Sequence, residues 1–176
     1  MKPEELLSRH YELLNHLSLL PKKMVSLHGH ENMTEFVLHE LCDEHCFNLQ
    51  KAAYFIDNPD FDCLKGIVGF SRDESMKSCD IWQSPDDFSG HMKQSPFNQK
   101  VRGLLRASIK KNHSNEKDVA AILADYLGLQ QPNFCVWNMK HDNTGILLFE
   151  KTKQEDPIHE DHLQNGLSLL SFCPVF

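Results

Sequence analysis

Apolar residues cluster on one side of a helical wheel from the start of the chain: Leu6, Tyr11, Leu13, Leu14, Leu17 and Leu20. That spacing predicts an amphipathic helix over 3–20, with Pro3 at a tolerated first-turn position and Pro21 as its stop. A second helix is predicted from about Thr34 to Ala53, with Asn32 or Thr34 as cap. The period then changes. Ala53-Tyr54-Phe55-Ile56 and Cys63–Phe70 are apolar runs around Asp57-Asn58-Pro59-Asp60-Phe61-Asp62, and two such runs about an Asx/Pro turn predict a β-hairpin. Residues 71–96 are polar and broken by Ser84-Pro85 and Ser95-Pro96. This stretch divides the chain into an N-terminal α/β region, 1–90, suited to dimerisation or signal input, and a mostly helical region, 91–176.

In the second region Phe97–Lys111 predicts a third helix. Val101, Leu104, Leu105 and Ile109 form its apolar stripe, and Arg102, Arg106 and Lys110 stand four apart on another face. Asn112–Asn115 ends it and caps a fourth helix, Glu116–Leu127, with Gly128 at the left-handed position after its last turn. The next residues support two readings. Phe134–Met139 and Ile146–Lys151 form a hairpin around a six-residue loop by pattern. Leu123–Trp137 also resembles the helix-turn-helix of phage-repressor-like DNA-binding domains: Leu123 and Leu127 face inward, Ala124 is small at the crossing, Gly128 turns the chain and Leu129 plugs the corner. Gln131-Pro132 then opens a second helix with Phe134 and Trp137 inward. This resemblance spans 97–140. It implies that Gln130, Gln131, Asn133 and Val136 enter the major groove, where Gln and Asn pair with adenine. It also implies that Arg102, Arg106, Lys110 and Lys111 hold phosphates of duplex DNA. The expected fold class is α+β and predominantly helical: N-terminal helices with a β-hairpin, and a helical C-terminal half carrying a candidate helix-turn-helix at 116–139.

Charge favours the DNA reading. The net charge is -7, from 18 basic and 25 acidic residues. Residues 93–140, however, hold eight basic residues and only Glu116, Asp118 and Asp125, a balance of +5. A basic segment in an acidic protein suits an anionic partner, while a solvated lysine-rich helix gives the same count. The 40% hydrophobic and 24% charged content is that of a globular chain. No run approaches the roughly 18 apolar residues of a membrane span. The first residues carry no apolar core of a signal peptide, and six scattered cysteines read as reduced thiols, so a cytoplasmic location is expected.

Eleven histidines raise the question of metal. On a helix, His39, Cys42 and Cys46 share one strip with Glu35, a spacing that gives zinc or iron two or three ligands. Cys63, Cys79 or the His28-Gly29-His30 pair would complete the shell. The competing reading makes these residues core. His159 and His162 form a second i, i+3 pair. No Gly-x-Ser-x-Gly and no phosphate-cradling loop is present, so catalysis is not the expectation. Cys173-Pro174-Val175-Phe176 fits a prenylation box only in form. The leading expectation is therefore a small DNA-binding regulator, as a homodimer. The alternatives are a metal-binding protein or small metalloenzyme, and an acidic protein-interaction or chaperone-like module with the 134–151 hairpin in its sheet.

Overall fold

The computed structural model describes residues 3–27, 29–76, 79–153 and 158–175. Its elements run α1 (Pro3–Ser26), α2 (Met33–Cys42), β1 (Leu49–Asn58), β2 (Cys63–Ser71), a 3-10 turn (Arg72–Glu74), α3 (Pro85–Gln94), α4 (Pro96–Arg102), β3 (Leu105–Arg106), α5 (Glu116–Leu127), β4 (Asn133–Asn138), β5 (Thr144–Lys151) and α6 (Glu160–Leu170). The strands form one antiparallel sheet in the order β3-β2-β1-β5-β4, so strands from both sides of residue 90 lie side by side.

The sheet is covered on both faces, which is why its central strands read as continuous apolar runs. Ala52, Tyr54 and Ile56 of β1, with Val68, Phe70, Leu147 and Phe149, pack on residues of α1, α2, α3 and α6. Ala53 and Phe55, with Leu64, Ile146 and Leu148, pack on Phe97 and Val101 of α4 and on Leu123, Ala124 and Leu127 of α5. The β1–β2 register shifts between Tyr54 and Phe55, leaving Ile67 as the extra residue of a bulge. Helix α4 crosses β2 so closely that a Cβ on Gly66 would stand 1.9 Å from the Val101 carbonyl oxygen. Only glycine permits that approach.

Several expectations are corrected. The C-terminal half is not predominantly helical: it supplies β4 and β5, and 116–139 holds one helix followed by a strand. Period two wins there because Cys135 and Trp137 pack toward one core while Phe134 and Val136 pack toward the other. The helix expected over 97–111 ends at Arg102. Leu105 and Arg106 pair with Lys65 and Leu64 instead, and the buried Asp57 carboxylate accepts from Ser108 Oγ and from the backbone N–H groups of Ile109 and Lys110 at 3.0–3.1 Å. Helix α2 stops at Cys42, well before Ala53, and a turn through Asn48 at φ 51° leads into β1. Helix α1 does not stop at Pro21. That residue is exposed, and the helix continues to Ser26 because Leu20 and Met24 still face the core. Among the described residues no helix is long and apolar enough to cross a membrane.

Candidate interaction face

Helix α1 carries two apolar seams. Leu13, Leu17, Leu20, Met24 and Leu27 step by four and three residues and pack on the core. A second seam, advanced by one residue or about 100°, holds Leu7, Tyr11, Leu14, Ser18, Pro21 and Val25, again stepping by four and three. Every member of it is exposed. Leu7 is 71% exposed, Tyr11 73% and Val25 75%, with Leu14 at 41% and Leu19 beside them at 45%. One helix stripe is enough to hold a helix to a core, so the second is surplus to the monomer. Glu4 and Glu5 in the first turn and Lys23 in the last complement the helix dipole. They also leave the seam acidic at one end and basic at the other, where Lys22 is exposed.

The helix is held in place from below by a buried carboxylate. Glu40 of α2 accepts the Trp82 indole N–H at 2.5 Å and Lys23 Nζ at 3.2 Å, and His16 Nε2 lies 2.6 Å from its other oxygen. Lys23 also stands 5.8 Å from the centre of the Trp82 ring. Burial pushes the Glu40 carboxyl up, but His16, Trp82 and Lys23 together outweigh it and bring it down to about 2. The outer seam is thus presented on a fixed helix.

The residues expected to contact DNA do not share a recognition helix. Gln130 and Gln131 are exposed in the turn before β4, the Gln130 N–H facing Glu150, and Asn133 is the first residue of that strand. Val136 lies within it, half-buried against the α5 side of the core. Arg102 pairs with the buried Glu35 at 3.1 Å, and Lys110 pairs with Asp142. Arg106 sits on the short edge strand β3, and Lys111 is exposed in the following turn.

The expected metal strip is packed in the core. His39 stands edge-on to Phe70 and Phe88 with ring centroids 5.3 and 5.2 Å apart. Cys42 and Cys46 are buried, and burial pushes both thiols well above their ordinary range. Cys63 opens β2 opposite Asn58, and Cys79 is exposed. His28, Pro157 and Phe176 lie outside the described residues. Among the described residues no three His, Cys, Asp or Glu side chains form a preformed ligand set.

The residues missed in the sequence are Leu7, Lys22 and Val25, while Tyr11 and Leu14 were placed on the inner stripe. The signal was present in the Leu-rich run 6–20, which holds more leucines than one stripe can use. No known protein family, curated protein or solved structure matches the chain.

Proposed function

We propose that this chain is an acidic protein-interaction module that acts as a homodimer, joined through the outer seam of α1. The observation that carries it is the exposed 4-3-4-3-4 seam from Leu7 to Val25. The occupant is a second copy, in antiparallel orientation. Setting Tyr11 of each copy against Leu14 of the other brings Glu4 of one helix beside Lys22 of its counterpart, at both ends of the pair. Opposed helix dipoles favour the same orientation. The helix is about 36 Å long. Its exposed apolar side chains offer on the order of 600 Å² per copy, or about 1,200 Å² for the pair, at the lower edge of stable interfaces. A concentration-dependent dimer is expected.

Sedimentation equilibrium tests this reading. Tyr11→Lys should yield a monomer whose thermal stability is almost unchanged, because the side chain touches solvent in the single chain. Glu4→Lys should weaken the dimer, and Glu4→Lys combined with Lys22→Glu should restore it. A wild-type chain that stays monomeric up to about 0.1 mM, or a dimer indifferent to Tyr11→Lys, removes the proposal.

A further inference from the structure

The sheet ends differently on its two sides. One edge strand, β3, is two residues long and carries Arg106. The other, β4, is six residues long, Asn133–Asn138, and carries no charge. Its register with β5 runs through all of them without a bulge, and Pro132 stands just outside it. Short length, charge, proline and bulges are the devices that keep an edge from pairing, and β4 has none of them. In an antiparallel ladder, alternate residues of an edge strand turn their N–H and C=O outward. Among the described residues no strand takes them up.

Two hollows lie beside this edge, on the α5 side of the sheet. Phe134 and Val136 share that face, about 6.8 Å apart along the strand. The hollow at Phe134 is about 190 Å³ and is lined also by Lys117, Ala120 and Ala121 of α5. The hollow at Val136 is about 400 Å³, with Ile109, Ile146, His113 and Glu116 in its lining. A strand added about 4.8 Å outside β4 repeats its side-chain period, so alternate side chains of that strand meet the two hollows in turn.

Charge then selects the strand. At the second hollow Asp57 is already satisfied by Ser108 Oγ and two backbone N–H groups, and Lys110 is paired with Asp142. Lys117 is the one charged residue of the first hollow. It is exposed, and among the described residues it pairs with no carboxylate. It also stands in the first turn of α5, where the helix dipole favours an acidic residue. That place costs α5 a little and suits a carboxylate brought from outside.

We propose that β4 is a docking edge for an extended, acidic segment of another protein, running antiparallel to it. The segment carries two apolar side chains two residues apart, flanked by carboxylates. Main-chain hydrogen bonds to the outer edge hold it, the hollows take the apolar side chains, and Lys117 takes a carboxylate. A second copy fits this place less well, because its β4 brings no carboxylate. Helix α1 packs on the opposite face of the sheet from the hollows, so the proposal does not rest on the dimer.

Fluorescence anisotropy of the full chain with fluorescein-labelled Glu-Ile-Thr-Val-Thr-Glu tests it. Saturable binding is expected, with slowed amide exchange in residues 133–138. The same peptide N-methylated at its internal amides, or carrying Lys at both ends, should bind at least about tenfold more weakly. Ala121→Trp, at an exposed position of α5, should fill the first hollow and weaken binding by at least about tenfold with an unchanged melting temperature. Lys117→Glu should weaken it about three- to tenfold while the melting temperature stays level or rises. Tyr11→Lys should bind the peptide as wild type does, which separates this result from failure of the α1 seam. No binding up to about 1 mM, equal binding of either altered peptide, or binding indifferent to both α5 variants overturns the proposal. So does a dimer that Ala121→Trp dissolves and Tyr11→Lys does not, since a second copy would then fill the edge.

Discussion

The Trp82 indole donates to Oε1 of Glu40 across 2.5 Å, and the carboxylate so fixed is the one that holds His16 and Lys23 of α1. Three elements of different sequence distance therefore converge on a single buried negative charge. Its hydrogen bonds and cations are what keep it ionised below the surface.

Glu40 should make the fold acid-sensitive. Its folded value of about 2 lies below the ordinary 4.5, so its contribution is complete above about pH 4.5 and is lost as pH falls toward 2. The size is about 3 kcal/mol at pH 7. Glu40→Gln should lower stability in urea by about 2–4 kcal/mol at pH 7, because Lys23 loses its counter-charge and the carboxylate's hydrogen bonds are weakened. The gap to wild type should narrow steadily between pH 4.5 and 2.5. A gap that stays constant with pH would show that the charge contributes nothing.

His39 should titrate with the opposite partner logic but also destabilise in acid. Burial holds its imidazole below the ordinary 6.5, against Glu40 and Asp43, which pull upward, and with His91 and Arg72. The folded state keeps the ring neutral while the unfolded chain protonates it, so stability falls as pH drops below about 6.5. His39→Leu keeps the apolar contacts with Phe70 and Phe88. It should flatten that part of the pH–stability curve and become more stable than wild type near pH 5.5.

Trp137 and Gly145 should be coupled. The indole stacks on Tyr54 with centroids 5.5 Å apart and planes 15° apart, and its N–H donates to Ser171 Oγ at 2.8 Å. It lies over Gly145 so closely that a Cβ there would stand 2.3 Å from the ring. Gly145→Ala should cost about 1–3 kcal/mol by displacing the indole, and Trp137→Ala about 3–5 kcal/mol by leaving a cavity. With the indole gone, Gly145→Ala has nothing to strike, so the double variant should fall short of the sum by at least about 0.5 kcal/mol. Strict additivity in denaturant melts would argue against this contact.

The parts of the fold that are locally encoded were legible. The β1–β2 hairpin turns within a few residues of an Asx/Pro phrase, and α5 begins at Asn115, whose side chain accepts from the Lys117 and Asp118 N–H groups, and ends at Gly128 with φ 71°. Strand β4 was legible only as one of two readings, because a short apolar run with five of its six residues half-buried does not separate strand from helix, and pairing with β5 settles its shape. The same limit applied to α1. Its surplus of leucines was visible, but which seam is covered depends on α2 and α6, far along the chain.

Arg102 gives the sharpest contrast between a surface charge and a structural one. Read from the sequence, it matches Arg106 as a phosphate contact on one helix face. In the fold it donates to Glu35, whose side chain is only 5% exposed and whose oxygens also accept from Asn98 and Asn32 at 3.1 and 2.8 Å. Arg102→Ala leaves that buried carboxylate with amide donors but no counter-charge, and should destabilise the protein by about 1–3 kcal/mol. Arg106→Ala, on an exposed two-residue edge strand, should change stability by less than about 0.5 kcal/mol. Chemical denaturation of the two variants, alongside duplex DNA binding at two salt concentrations, separates the roles. If both substitutions leave stability untouched and weaken DNA binding alike with a flatter salt slope, Arg102 is a phosphate contact and its pairing with Glu35 is incidental.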